Sequence, residues 1–415
     1  MPITVQTGRG SRMSRSIVFY LHVHQPWRVQ PNSVFDTGVK HDYFDDASAN
    51  ERTDNEAIFH KVAAKSYWPM TTVLEKLLGE YPHFAFSISI TGTFIEQCEK
   101  WDIELLRQFQ KLVATGRVEI VGETYHHSLA FFYSRFEFEK QVLMHREKIQ
   151  QLFGVRPRVF RNTELSYNDE LGQWADSAGY DGVLAEGWGP VLGHRSPNYV
   201  YQAAHTSRVK LLLKNYRLSD DIAFRFSNRE WSEWPLKANT YVSWLEASDD
   251  DALINLFMDF ETFGEHQWED TGIFEFFADV VGSWIAAGNA FVTPSQALRL
   301  YAPRDEVSMP HTVTWADSER DLSAWLGNRM QTEAMSYLYD LEASVLRTGD
   351  EQLIADWRLL QTSDHAYYMC TKWFNDGDVH AYFSPYKSPY DAFLYYLNVI
   401  RDVRWRVSEH HKAVL

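Results

Sequence analysis

The sequence predicts a parallel α/β fold, a barrel of seven strands and helices with a helical C-terminal region packed on it. Three observations carry that prediction. Short apolar, β-rich runs alternate with helical patterns seven times between residues 16 and 300, as in a chain of strand–helix–strand units. Polar and acidic side chains collect just after those runs, which in a barrel is the rim where chemistry is done. From about residue 300 the strand pattern stops and apolar residues fall only at helical spacing. An open doubly wound sheet is the competing topology; single-domain spacing over about 280 residues favours the barrel.

Taken in order, residues 1–15 are polar and basic and read as a disordered extension, with Met13 as a second possible start. Ser16 to Val23 is the first strand; it delivers His22 and His24 at i and i+2 on one face before Pro26 stops it. A loop with Asp42, Asp45, Asp46 and Asp54 leads into a helix over Glu56 to Leu78. Phe84 to Ile90 is the second strand, Phe94 to Leu112 a helix stopped by Gly116, and Val118 to Val121 the third strand, followed by Glu123, Tyr125, His126 and His127. A helix from Phe136 to Phe153, closed by Gly154, precedes the fourth strand, which ends in Arg161, Asn162, Thr163 and Glu164. Asp169 to Ala178 is helical, Gly182 to Glu186 the fifth strand and Val209 to Lys214 the sixth, with Asp220 and Asp221 beyond it. The seventh, Leu253 to Met258, closes in Asp259, Glu261, Glu265 and His266. Helices over residues 322–345, Glu351 to Met369 and Tyr390 to Arg401 complete the chain as one helical region, 301–415, that shares an interface with the barrel at 16–300.

Composition narrows the function. A net charge of −16 leaves no basic face to neutralise phosphates, so no nucleic-acid partner is expected. No stretch approaches a membrane span, and neither a cleavable leader nor a disulfide framework is indicated by the two cysteines, so the expected compartment is the cytoplasm. Aromatic residues make up 15%, including 15 Trp and 22 Tyr, which suits a protein that presents flat rings to sugar faces; an aromatic-rich core is the plainer explanation. Trp27, Trp188, Trp268 and Trp325 are the candidate platforms.

Glu164 and Asp259 each close a strand, and two such acids facing one bond are what glycosidic cleavage requires; acids held in rim ion pairs would read the same way. The histidine pair can bind sugar hydroxyls, ligate a metal with Glu119 or Asp220, or be structural. HVHQPWR at 22–28, GRVEIVGETYHH at 116–127, VFRNTELSYND at 159–169, MDFETFGEHQW at 258–268 and LQTSDHAYYM at 360–369 then resemble, in order and spacing, the five sequence regions of glycoside hydrolase family 57, closest to its shorter α-amylase-like members. The resemblance implies an incomplete, TIM-like (β/α)7 barrel followed by a helical bundle, acting on α-glucans by a retaining mechanism. It places the nucleophile on Glu164, the general acid/base on Asp259, and substrate-binding positions on His22, His24, Glu119 and Asp364. Asp220, Glu123, His126, His266 and His365 join Trp27, Trp188 and Trp325 as expected cleft residues. Ala366 stands where the family carries an aromatic ring. Such a site needs no cofactor and no metal. Asp259 must start protonated, which calls for a pKa raised by burial and by the charge of Glu164.

Three rivals remain at this level: glucan transfer or branching on the same intermediate, a catalytically silent α-glucan-binding protein, and a metal-dependent polysaccharide deacetylase. The last is disfavoured because no H-x-x-x-H pair lies near an Asp-Asp motif.

Overall fold

The computed structural model describes residues 15–44, 51–247, 253–372 and 382–414. The expected disordered extension up to Ser14, Met13, Asp45 and Asp46 lie outside them. Among the described residues ten strands form two sheets. They are β1 (Ser16–Val23), β2 (Phe86–Ile90), β3 (Val118–Ile120), β4 (Val159–Arg161), β5 (Gly182–Glu186), β6 (Val200–Ala203), β7 (Lys210–Lys214), β8 (Leu253–Asp259), β9 (Ala290–Phe291) and β10 (Glu306–Val307). One sheet has the order β3-β2-β1-β8, with β9 also on β1; the other runs β10-β6-β7-β5-β4.

Every residue of β1 is buried, because parallel partners flank it and packed layers cover both faces. This is why its sequence, SIVFYLHV, is an almost unbroken apolar run. In its register with β8, His22 lies beside Asp259, so the backbone ladder itself brings two of the predicted site residues together.

A single closed barrel is not what the strand pairing shows. The two sheets meet at an isolated bridge between Gly122 and Phe160 and, at the other seam, at a backbone hydrogen bond from Asn215 N to Asn255 O, 2.8 Å, with Asn255 Nδ2 donating to Leu213 O at 3.0 Å. The second sheet is also mixed, since β6 pairs antiparallel with β7. That strand is only VYQA, too short to show a period-2 pattern against its surroundings.

Helix ends follow local chemistry. Asn168 caps the helix Asp169–Ala178 and Gly179, at φ 90°, ends it. The helix expected over Phe94 to Leu112 is two, because Asp102 terminates Gly92–Trp101 and caps Ile103–Ala114 through Leu105 N. The expected helix over Glu56 to Leu78 contains a π-turn at Ala63–Tyr67, and this places Tyr67 against the site. Gly264 is needed where the loop after β8 crosses that turn: its φ is 105° and an added Cβ would sit 1.9 Å from the Lys65 carbonyl oxygen.

The C-terminal helices include Arg329–Tyr339, Glu351–Leu359, Ser363–Tyr367 and Pro389–Val414. Trp357, Leu338 and Val399 from them share one hydrophobic core with Phe160, Leu171 and Leu211. Burying each such side chain contributes about 1.5–3 kcal/mol, so this interface binds the helical region firmly to the second sheet. The helix expected over Glu351 to Met369 breaks at Leu360–Thr362, where Ser363 N donates to His127 O at 2.9 Å. That break turns Ser363 and Asp364 toward the strand ends.

Candidate active site

The C-terminal ends of β1, β4 and β8, the segment after β3 and the helix Ser363–Tyr367 converge on a cleft of about 490 Å³. Its lining includes Glu164 and Asp259 together with His22, His24, Asp220, His266, Trp325 and Asp364. The two acids, far apart in sequence, therefore open onto one space.

Glu164 sits in a left-handed backbone conformation, φ 58° and ψ 29°, and Leu165 and His127 also have positive φ. For residues with a Cβ each such angle costs on the order of 1 kcal/mol and persists only where the surroundings enforce it. Here Tyr167 and Val313 exchange two backbone hydrogen bonds of 2.9 Å, and Trp315 N donates to Glu164 O at 3.3 Å. The reward is aim. Glu164 Oε1 receives Ser363 Oγ at 2.8 Å and faces His127 Nε2 at 3.1 Å, while Oε2 accepts from Trp315 Nε1 at 3.0 Å. Burial acts to raise the Glu164 pKa, but the His127 hydrogen bond and the charges of His127 and Arg161 outweigh it and hold the carboxyl below its ordinary range.

Asp259 is more open, with 39% of its side chain exposed against 14% for Glu164. Its Oδ1 lies 3.6 Å from His22 Nδ1. The expectation of a raised pKa is not met in the free protein: burial raises it, but His22, His266 and Arg161 more than compensate and the net shift is downward. The raised acid is its neighbour. Glu261, buried in the cleft wall and hydrogen-bonded by Tyr67, is pushed up to about 8 by burial and by the charge of Asp259.

Beneath both acids lies Glu123, fully buried. Its Oε2 is 3.2 Å from His22 Nε2, 3.6 Å from His127 Nδ1 and 3.8 Å from the Arg161 guanidinium. Despite its burial, these partners keep its carboxyl well below the ordinary value. Burial disfavours charge on His127, yet Glu123 and Glu164 raise it to about 9. His24 is the opposite case. Burial and the charge of His127 lower it to about 4, so the neutral ring donates to Asp364 Oδ2 at 2.9 Å and accepts from Thr91 Oγ1 at 3.0 Å.

Other expected residues are placed elsewhere. Trp27 is buried against Trp101, ring centroids 5.1 Å apart, and does not line the cleft. Glu119 lies within β3, one strand turn short of the rim, and accepts from Ser295 N at 2.8 Å. Trp188 packs half-buried on the core shared by the helical region and the second sheet, His126 is buried away from the cleft, and His365 faces Tyr396 under the wall with its pKa lowered to about 4 by burial. Trp268 is 54% exposed beside Lys65 and does not line the cleft. Asp220 does line it, tied to Lys214 at 3.1 Å and Arg320 at 3.4 Å.

His127, Trp315, Glu261, Lys214 and Arg320 line the cleft and were not among the expected site residues; nor was Ser363, which is buried behind it and reaches the site through Glu164. His127 and Glu261 had a signal, since each sits in a motif already singled out. Trp315 had none.

Among the described residues two triads bring ligand-type atoms within 4.8 Å of one another: His22, Glu123 and His127, and His24, His127 and Asp364. The first already encloses a cation, because Arg161 NH1 lies 3.5 Å from His22 and 3.4 Å from His127. A divalent ion there would meet that guanidinium at close range.

The model of glycosyl hydrolase family 57 matches residues 18–310. The chain belongs to that family. A relative in Methanocaldococcus jannaschii named "Putative alpha-amylase" is 39% identical over 406 residues, 95% of this chain and 85% of its own. Among solved structures, the family 57 branching enzyme of Pyrococcus horikoshii superposes with a TM-score of 0.66 at 16% identity, over 89% of this chain and 87% of its own. The 4-alpha-glucanotransferase of Thermococcus litoralis gives 0.61 at 17%, over 85% of this chain, which spans 56% of that enzyme's length. The molecule is thus a family 57 glycoside hydrolase. No helix among its described residues is long and apolar enough to cross a membrane.

Proposed function

We propose that this family 57 protein hydrolyses α-glucans with retention of configuration, with Glu164 as nucleophile and Asp259 as general acid and base. The carrying observation is the state of Glu164: ionised, sheltered, and gripped through both oxygens by Trp315, Ser363 and His127. A carboxylate so aimed is ready to bond the anomeric carbon while the bond to the leaving sugar oxygen breaks. Asp259 gives that oxygen its proton, then takes one from the water that releases the sugar from Glu164. Asp259 is charged in the free protein, so its proton has to come with substrate. A sugar covering its exposed face removes solvent that favours the charge, and this drives its pKa upward. Trp315 and Tyr367, both partly exposed, line the cleft and offer flat faces to glucose rings, whereas the expected platform Trp325 borders the cleft almost wholly buried. The α-glucan assignment rests on the names of the amylase, branching and transferase relatives.

Transfer of the glycosyl group to a sugar hydroxyl instead of water is the second reading. It is favoured by Phe224 and Phe383, exposed rings on the same cleft where an acceptor sugar can stack.

Defined maltooligosaccharides and soluble starch decide between them. Hydrolysis gives reducing ends whose first-formed anomer is α by NMR, and transfer gives longer or branched chains. Glu164→Gln loses nearly all turnover. Full turnover in that variant, or a β first product, defeats the proposal.

A further inference from the structure

Glu123 touches no open space, since its side chain is fully buried and absent from the cleft lining, yet its contacts reach both acids. From Asp259 Oδ1 the path runs 3.6 Å to His22 Nδ1, across that ring, and 3.2 Å to Glu123 Oε2. From Glu123 Oε2 a second path runs 3.6 Å to His127 Nδ1, across that ring, and from its Nε2 3.1 Å to Glu164 Oε1. Each imidazole spends one nitrogen on Glu123 and presents the other to a different carboxylate. The rings lie against each other with centroids 4.7 Å apart, so neither can turn without displacing the other.

We propose that Glu123 is a positioning residue for both reacting carboxylates: its oxygen is the shared anchor that turns His22 toward Asp259 and His127 toward Glu164. The inference rests on the assignment of that pair above and adds how the pair is held. An imidazole that donates from both nitrogens needs an acceptor on each side. Without Glu123 the inner nitrogens would face only the Arg161 guanidinium, a donor, so both rings would lose what orients them and His127 would lose a partner that holds its charge. The charged and titratable groups around Glu123 are Tyr20 and His22 from β1, His127 from its own segment, Arg161 from β4 and His145 from the helix Arg135–Phe153. His145, its pKa lowered by burial, donates from Nε2–H to the Ile90 carbonyl oxygen at 2.9 Å rather than to Glu123. It leaves His22, His127 and Arg161 as the groups that answer to Glu123.

The test is Glu123→Gln beside Glu123→Asp in the full chain, assayed on a maltooligosaccharide across pH. Glu123→Gln keeps the volume and removes the charge. Its kcat is expected to fall roughly 10- to 100-fold, as for a lost charge-assisted hydrogen bond, with KM within about twofold. The acid limb of its kcat/KM profile moves upward by about one pH unit as Glu164 loses its charged partner. Glu123→Asp, charged but shorter, recovers part of kcat and returns the limb toward wild type. Labelled-histidine NMR of the wild-type protein needs no variant to fold: His127 stays doubly protonated through pH 8. An unmoved pH profile in Glu123→Gln, equal losses in Asp and Gln variants, or a wild-type His127 that titrates near neutrality each overturns the positioning role. Glu164→Gln, measured alongside, keeps the two claims separable, because full turnover there removes the reacting pair itself.

Discussion

Replacing Glu261 by glutamine should make the protein more stable at alkaline pH, an unusual outcome for a change inside a cleft. Glu261 is buried, accepts from Tyr67 and sits two residues from Asp259, and its pKa is raised from 4.5 to about 8. Between those values the native protein holds a proton at this site that the unfolded chain has released. Stability therefore falls as pH rises from about 4.5 to 8 and levels off above, where the carboxyl is ionised in both states. At 1.36 kcal/mol per pH unit the full loss is about 5 kcal/mol, and relaxation of the wall around a new charge makes it smaller. Glutamine has the shape of the protonated acid and can accept from Tyr67 through its amide oxygen, but it cannot ionise. Urea unfolding at pH 5 and pH 9 measures the effect. The variant should match wild type at pH 5 to within about 1 kcal/mol and exceed it at pH 9 by several. An equal difference at both pH values would refute the claim that Glu261 is held protonated.

Further outcomes follow from the same geometry. Trp315→Phe keeps the ring and deletes the Nε1–H donated to Glu164 Oε2 at 3.0 Å, so kcat should drop about 10- to 100-fold with little change in thermal stability. Trp27→Ala removes a buried ring packed at a tilt against Trp101; it should cost about 3–5 kcal/mol in denaturant unfolding while KM on maltooligosaccharides stays unchanged. Asp259→Asn should be slow on starch yet retain far more of its rate on an aryl glycoside whose leaving group needs no proton; equal losses on both substrates would count against its role as acid. Because a bound sugar covers Asp259, the alkaline limb of kcat should lie at higher pH than that of kcat/KM.

Much of this was legible along the chain. Strand and helix identity follow from apolar periodicity, a local property, and the strand ends where polarity returns are where the cleft opens. His22, Glu164 and Asp259 could be selected because each interrupts an apolar run at a motif. Trp315 could not: it reaches Glu164 from 151 residues away, on a loop with no signature of its own. Trp27 shows the converse, since a tryptophan beside a motif histidine looks like a sugar platform until its ring is seen to be buried against Trp101.

The sequence by itself determined which residues could do glycosidic chemistry, and that they stand at the ends of buried strands, because side-chain type and hydrophobic period are written residue by residue. Only the tertiary structure decided that the strands pair as two sheets joined at narrow seams, and that Asp259 is charged in the free protein while Glu261 is not. Those outcomes depend on which charges and how much solvent surround each group in space. Arg161, His22 and His266 come from three different segments to lower one carboxyl, and Asp259 and a buried wall act together to raise the other.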